Sequence, residues 1–74
     1  MITVYSTITC VWCKQVERYL TAKGVEYEKI MLDDKPELRN KLHQITGAMT
    51  VPITTDGETY VIGYKIGELN KLIQ

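Results

Sequence analysis

The chain has 74 residues, enough for one small domain over residues 1–74, and is 45% hydrophobic and 24% charged, which excludes a disordered chain, a fibrous repeat and large catalytic machinery. Lys plus Arg number 9 and Asp plus Glu number 9, so no net charge points to nucleic acid or an acidic membrane surface as a partner. No apolar run approaches the ~18 residues that span a bilayer, and Met1-Ile2-Thr3-Val4-Tyr5 lacks the basic start and long apolar segment of a secretion signal, so a soluble cytoplasmic protein with no membrane partner is expected.

Ile2-Thr3-Val4-Tyr5-Ser6 alternates and is rich in β-branched and aromatic residues, which predicts a strand with Ile2 and Val4 on one face. From about Val11 to Lys23, Trp12, Val16, Tyr19 and Leu20 fall at helical spacing and Gly24 follows as a stop. Val25 to Leu32 reads as a second strand of imperfect alternation, closed by Asp33-Asp34. Asp34 and Glu37 have the spacing of a capping box, Pro36 is tolerated in a first turn, and Leu38, Leu42 and Ile45 carry a second helix to Gly47.

Two short strands follow, Thr50 to Thr55 and Glu58 to Ile62, with Asp56-Gly57 between them as a two-residue hairpin signal. Ile66, Leu69, Leu72 and Ile73 mark a last amphipathic helix. The predicted order is β-α-β-α-β-β-α, an α/β fold whose first β-α-β unit forms a parallel pair with a right-handed crossover.

The only two cysteines lie three positions apart in Cys10-Val11-Trp12-Cys13, at the start of the first predicted helix. That spacing lets the sulfurs bond while the first stays accessible, and two cysteines are too few to staple a small secreted fold. Backbone N–H groups and the positive helix end stabilise a thiolate at Cys10, with Lys14 adding positive charge, so its pKa is expected below the free value of about 8.5. The implied chemistry is thiol–disulfide exchange: Cys10 attacks a disulfide, Cys13 resolves the mixed disulfide, and an external reductant reopens the bridge with no bound metal or cofactor. A structural disulfide and half of a zinc site are the bland alternatives, but zinc wants four ligands and His43, read as a surface residue, is the one other good nitrogen or sulfur donor.

Pro52, in Thr50-Val51-Pro52 at a strand start, cannot donate to a sheet ladder. If the Val51-Pro52 bond is cis, Val51 turns its backbone groups outward, where an extended peptide could pair with them.

Tyr5-Ser6-Thr7-Ile8-Thr9-Cys10-Val11-Trp12-Cys13, Gly47-Ala48-Met49-Thr50-Val51-Pro52 and the Asp56-Gly57 turn together resemble the glutaredoxins of the thioredoxin fold, over essentially the whole chain. The resemblance implies a four-stranded mixed sheet flanked by three helices, a cis Pro52 facing Cys10, Cys10 as nucleophile and Cys13 as resolving thiol. It further implies a site for glutathione or substrate that includes Val11, Trp12, Thr50, Val51, Pro52, Gly63 and Tyr64. Arg39 occupies the position from which many glutaredoxins grip the glycyl carboxylate of glutathione, a role its fork suits, and Met49 is expected at the rim.

Three departures stand out. Thr7 replaces a frequent lysine, Val11-Trp12 replaces the usual Pro-Tyr or Pro-Phe spacer, and Gly63-Tyr64-Lys65-Ile66 replaces the Gly-Gly-x-Asp segment that receives the α-amino and α-carboxylate groups of glutathione. Gly63-Tyr64-Lys65 instead resembles glutaredoxin-like redoxins that serve ribonucleotide reductase and are fed by thioredoxin reductase. The expected function is a monomeric, glutathione-dependent thiol–disulfide oxidoreductase, acting on protein disulfides or glutathione mixed disulfides, with ribonucleotide reductase as client. A redoxin fed by thioredoxin reductase is the alternative, and a module holding an iron–sulfur cluster between two subunits is a further one.

Overall fold

The computed structural model describes residues 2–47 and 50–73. The elements run β1 (Ile2–Ser6), α1 (Val11–Ala22), β2 (Tyr27–Met31), α2 (Pro36–Thr46), β3 (Ile53–Thr55), β4 (Tyr60–Ile62) and α3 (Ile66–Ile73), the predicted order. The sheet is mixed, ordered β2-β1-β3-β4. β1 pairs parallel with β2 and antiparallel with β3, and β3 pairs antiparallel with β4.

Alternation along the strands assigns the two faces. Ile2, Val4 and Val61 pack with Val16 and Leu20 of α1 and Leu69 of α3. On the other face the register aligns Ile30, Tyr5, Ile53 and Ile62 across the four strands, where they meet Leu32 and Leu42 under α2. Val4, Val16, Leu20 and Leu69 are fully buried, each contributing about 1.5–3 kcal/mol of transfer free energy. This core fixes α1 against the sheet, and with it the cysteines at its first turn.

Three local expectations are corrected. The start of α2 is not an Asp34 capping box: Lys35 occupies the N-cap with no side-chain hydrogen bond, and the Asp34 carboxylate lies 4.0 Å from Lys35 Nζ. Pro36 at the first helical position has no N–H to satisfy and presets φ, so the helix begins without a side-chain cap. The hairpin is not a two-residue turn, since Thr55↔Tyr60 is its last pair. Asp56 Oδ1 instead accepts the N–H groups of Glu58 and Thr59, each at 2.9 Å, and closes a longer loop with Gly57 at φ 106. Thr50-Val51-Pro52 and Glu58-Thr59 lie outside the strands, which are shorter than read from the sequence, as is β2.

No helix among the described residues is long and apolar enough to cross a membrane.

Candidate active site

Cys10 is the N-cap of α1, in extended backbone conformation at φ -86 and ψ 109. It arrives there through a turn in which its N–H donates to Thr7 O at 3.3 Å. Its Sγ accepts the N–H of Cys13 at 3.0 Å, one of the donors that a helix start leaves free, and is bonded to Cys13 Sγ. The pair is unequal in exposure: Cys13 is 1% exposed against the core side of α1, whereas Cys10 is partly exposed. An accessible sulfur at the positive end of a helix and a buried partner behind it can divide attack and resolution between them.

Two grooves lie at the start of α1, one lined by Trp12, the residue before Cys13, and the other by Cys10 itself. One, of about 280 Å³, is lined by Trp12, Thr50, Val51, Gly63 and Tyr64. The Val51-Pro52 peptide beside it is cis, as the resemblance implies, and Gly63 N–H donates to Pro52 O at 2.8 Å, joining the end of β4 to the segment before β3. Gly63, at φ 81, then turns the chain so that Tyr64 stacks on Trp12, ring centroids 6.0 Å apart at 23°. The other groove, about 180 Å³, is lined by Ile8, Thr9, Cys10, Val11 and Lys14. Larger open depressions along Asp34–Leu38 and between the hairpin and α3 include no residue from Cys10 to Cys13.

The structure thus brings together Trp12, Thr50, Val51, Gly63 and Tyr64 in one groove and Cys10 and Val11 in its neighbour. Pro52 is buried and contributes its carbonyl to the bond that shapes the first groove. Arg39 lies on the exposed side of α2 and lines neither groove. Met49 lies outside the described residues. Trp12, read as part of the apolar stripe of α1, is 60% exposed, because the core cluster takes Val16 and Leu20 and leaves Trp12 to Tyr64. The rim exposes Ile8 and Val11, at 73% and 68%, beside Thr9 and Lys14. Tyr5, under α2, is held neutral: burial pushes its phenol up, with the Tyr60 and Glu28 charges adding to the effect.

Sequence reading did not single out Asp33, whose carboxylate accepts the N–H of Ile8 at 3.1 Å. A bond between residues 25 positions apart has no local signature.

The fold and the dithiol at the start of α1 define a thiol–disulfide oxidoreductase of the thioredoxin-like class. The Glutaredoxin family model matches residues 2–60, and the chain belongs to the glutaredoxin family. A glutaredoxin of Pseudomonas aeruginosa is 40% identical over 62 residues, 84% of this chain and 74% of that protein. The glutaredoxin-like protein NrdH of Lactococcus lactis is 32% identical over 72 residues, 97% of this chain and 99% of that one. The solved structure of the glutaredoxin-like NrdH-redoxin of Escherichia coli, described as having a thioredoxin-like activity profile, superposes with a TM-score of 0.85 at 28% identity, covering 96% of this chain and 92% of that one.

Proposed function

We propose that this protein is a dithiol reductase of protein disulfides, with Cys10 as nucleophile, Cys13 as resolving thiol and thioredoxin reductase as its electron donor. The observation that carries the reading is the wall of the larger groove. Tyr64 stacks there on Trp12, at the position where glutathione-dependent members, by the resemblance, place a glycine ahead of the acid that meets the glutathione backbone. No acid among the described residues lines the groove. An aromatic wall near the exposed Ile8 and Val11 favours a protein surface over a small, doubly charged peptide end. The thioredoxin-like activity profile stated for the NrdH-redoxin of Escherichia coli supports the same donor.

In the forward reaction the Cys10 thiolate attacks one sulfur of the substrate disulfide, forming a mixed disulfide and releasing the other sulfur as a thiolate. Cys13 loses its proton and attacks Cys10 Sγ; the mixed disulfide breaks, and the substrate leaves with both sulfurs reduced. Two electrons pass to the substrate and the protein is left in the bridged form described above. The reductase returns two electrons, and no prosthetic group is needed because the sulfur pair stores them. Val11, Trp12, Gly63 and Tyr64 hold the substrate, and Thr50 and Val51 beside cis Pro52 offer it their backbone groups. We place the protein as a monomer, one glutaredoxin domain over residues 1–74, in a reducing cytoplasm, with ribonucleotide reductase as its client by family analogy.

One observation favours a second reading, in which glutathione is the co-substrate. Thr50 and Val51, which the resemblance includes in the glutathione site, do line the groove, and Arg39 is an exposed cation on α2. Two parallel assays of NADPH oxidation on one disulfide-bonded protein substrate separate the readings. Turnover with thioredoxin reductase at least about tenfold above that with glutathione plus glutathione reductase is expected, a difference of about 1.4 kcal/mol in transition-state stabilisation. The opposite ranking would hand the donor role to glutathione.

A further inference from the structure

The turn that delivers Cys10 is held from the far side of the β1-α1-β2 crossover. Leu32 N–H donates to Ser6 O at 2.9 Å, so the ends of β1 and β2 lie side by side and the loops after them leave the same edge of the sheet. Asp33 begins the second loop, and its Oδ2 accepts the N–H of Ile8, in the first, at 3.1 Å. Ile8 is a central residue of the turn closed by Cys10 N–H on Thr7 O. Ile8 and Thr9 are exposed and bring little packing of their own to fix that turn. The placement of Cys10 at the N-cap, where Sγ meets the Cys13 N–H at 3.0 Å, follows directly from it.

We propose that Asp33 is a positioning residue for the exchange reaction: by accepting the Ile8 N–H it fixes the turn that sets Cys10 at the start of α1. The proposal rests on the reading of Cys10 as the attacking thiol. Acceptor and charge act in opposite directions at this position. A carboxylate near the loop disfavours a neighbouring thiolate, whereas the bond it makes holds the sulfur against the helix N-terminus, where a thiolate is favoured. Lys14, which lines the groove beside Cys10, is a cation of the same rim, while Asp34 and Lys35 lie 4.0 Å from each other.

Two variants separate acceptor from charge. Asp33→Asn keeps an oxygen for the Ile8 N–H and removes the charge; Asp33→Ala removes both. Each alters an exposed side chain and leaves the core intact. The reduced proteins are alkylated with iodoacetamide from about pH 4 to about pH 9, the labelled cysteine is located by mass, and exchange of the Ile8 amide is followed by NMR.

The expected result is that Cys10 labels first in all three proteins. Asp33→Ala reacts about three- to tenfold more slowly below the free thiol pKa, its profile moves toward the free value of about 8.5, and the Ile8 amide exchanges at least about tenfold faster. Asp33→Asn stays within about twofold of the unaltered protein in rate and in Ile8 exchange. A profile for Asp33→Ala that matches the unaltered protein overturns the proposal while leaving Cys10 as nucleophile, and so does Asp33→Asn behaving like Asp33→Ala. First labelling at Cys13 overturns the attack order, and the role of Asp33 with it.

Discussion

Trp12 lies four residues before Val16 on the same side of α1, yet it is 60% exposed while Val16 is fully buried. What separates them is Tyr64, reached across 52 positions of sequence, which offers Trp12 an aromatic face outside the core. Helical periodicity reports which residues share a face but not where the facing surface ends, so the apolar stripe alone put Trp12 with the core, and only the family resemblance put it in the site. The place of Cys10 and Cys13 at the helix start was legible, because the helical period of Trp12, Val16, Tyr19 and Leu20 begins beside them. For Trp12→Ala we expect loss of the stacked wall with little loss of stability, as the residue is outside both core clusters. Aromatic contacts are worth about 0.5–1.5 kcal/mol beyond their area, so kcat/KM for a protein disulfide should fall by about two- to tenfold. Alkylation of Cys10 should be unchanged. An unaltered kcat/KM would remove Trp12 from the substrate site.

The hairpin between β3 and β4 shows the same limit one level up. Asp56-Gly57 correctly marked where the chain reverses, but the number of loop residues depends on which group satisfies the free N–H donors. Here the Asp56 carboxylate takes those of Glu58 and Thr59, and the loop lengthens. These bonds, Thr59 first and then Glu58, hold the Asp56 carboxyl below its ordinary value of 3.8. With the folded pKa lowered, the charged group's contribution to stability is fully present above the ordinary value and is lost as the pH falls through the lowered one. Asp56→Asn offers the same oxygen without titrating, so the Tm of the unaltered protein relative to that of the variant should drop on acidification from about pH 5 to about pH 2. Parallel Tm curves over that range would rule out this carboxylate as a source of acid sensitivity. The start of α2 follows a related logic: the N-cap falls on Lys35 and Pro36 presets the first helical turn, so the Asp34-Glu37 spacing predicted a capping box one residue out of register with the helix.

The chain as a unit follows the sequence pattern closely. All seven elements were legible in order and type, because alternation in the strands and the 3.6-residue period in the helices agree with the faces they bury. What escaped reading are the contacts that join distant segments at the cysteine end of the sheet: Asp33 to Ile8, Gly63 to Pro52 and Tyr64 to Trp12. Local propensity constrains none of them, yet together they shape the surface around the disulfide. That surface pairs one accessible sulfur with one that is 1% exposed, and this inequality is the physical basis for assigning attack to Cys10 and resolution to Cys13. The most direct test is to trap the mixed disulfide. Cys13→Ser, mixed with a disulfide-bonded protein substrate, should accumulate a covalent adduct through Cys10 that persists until external thiol is added, whereas Cys10→Ser should form none above background. Equal trapping by the two variants, or an adduct carried by Cys13, would contradict the account.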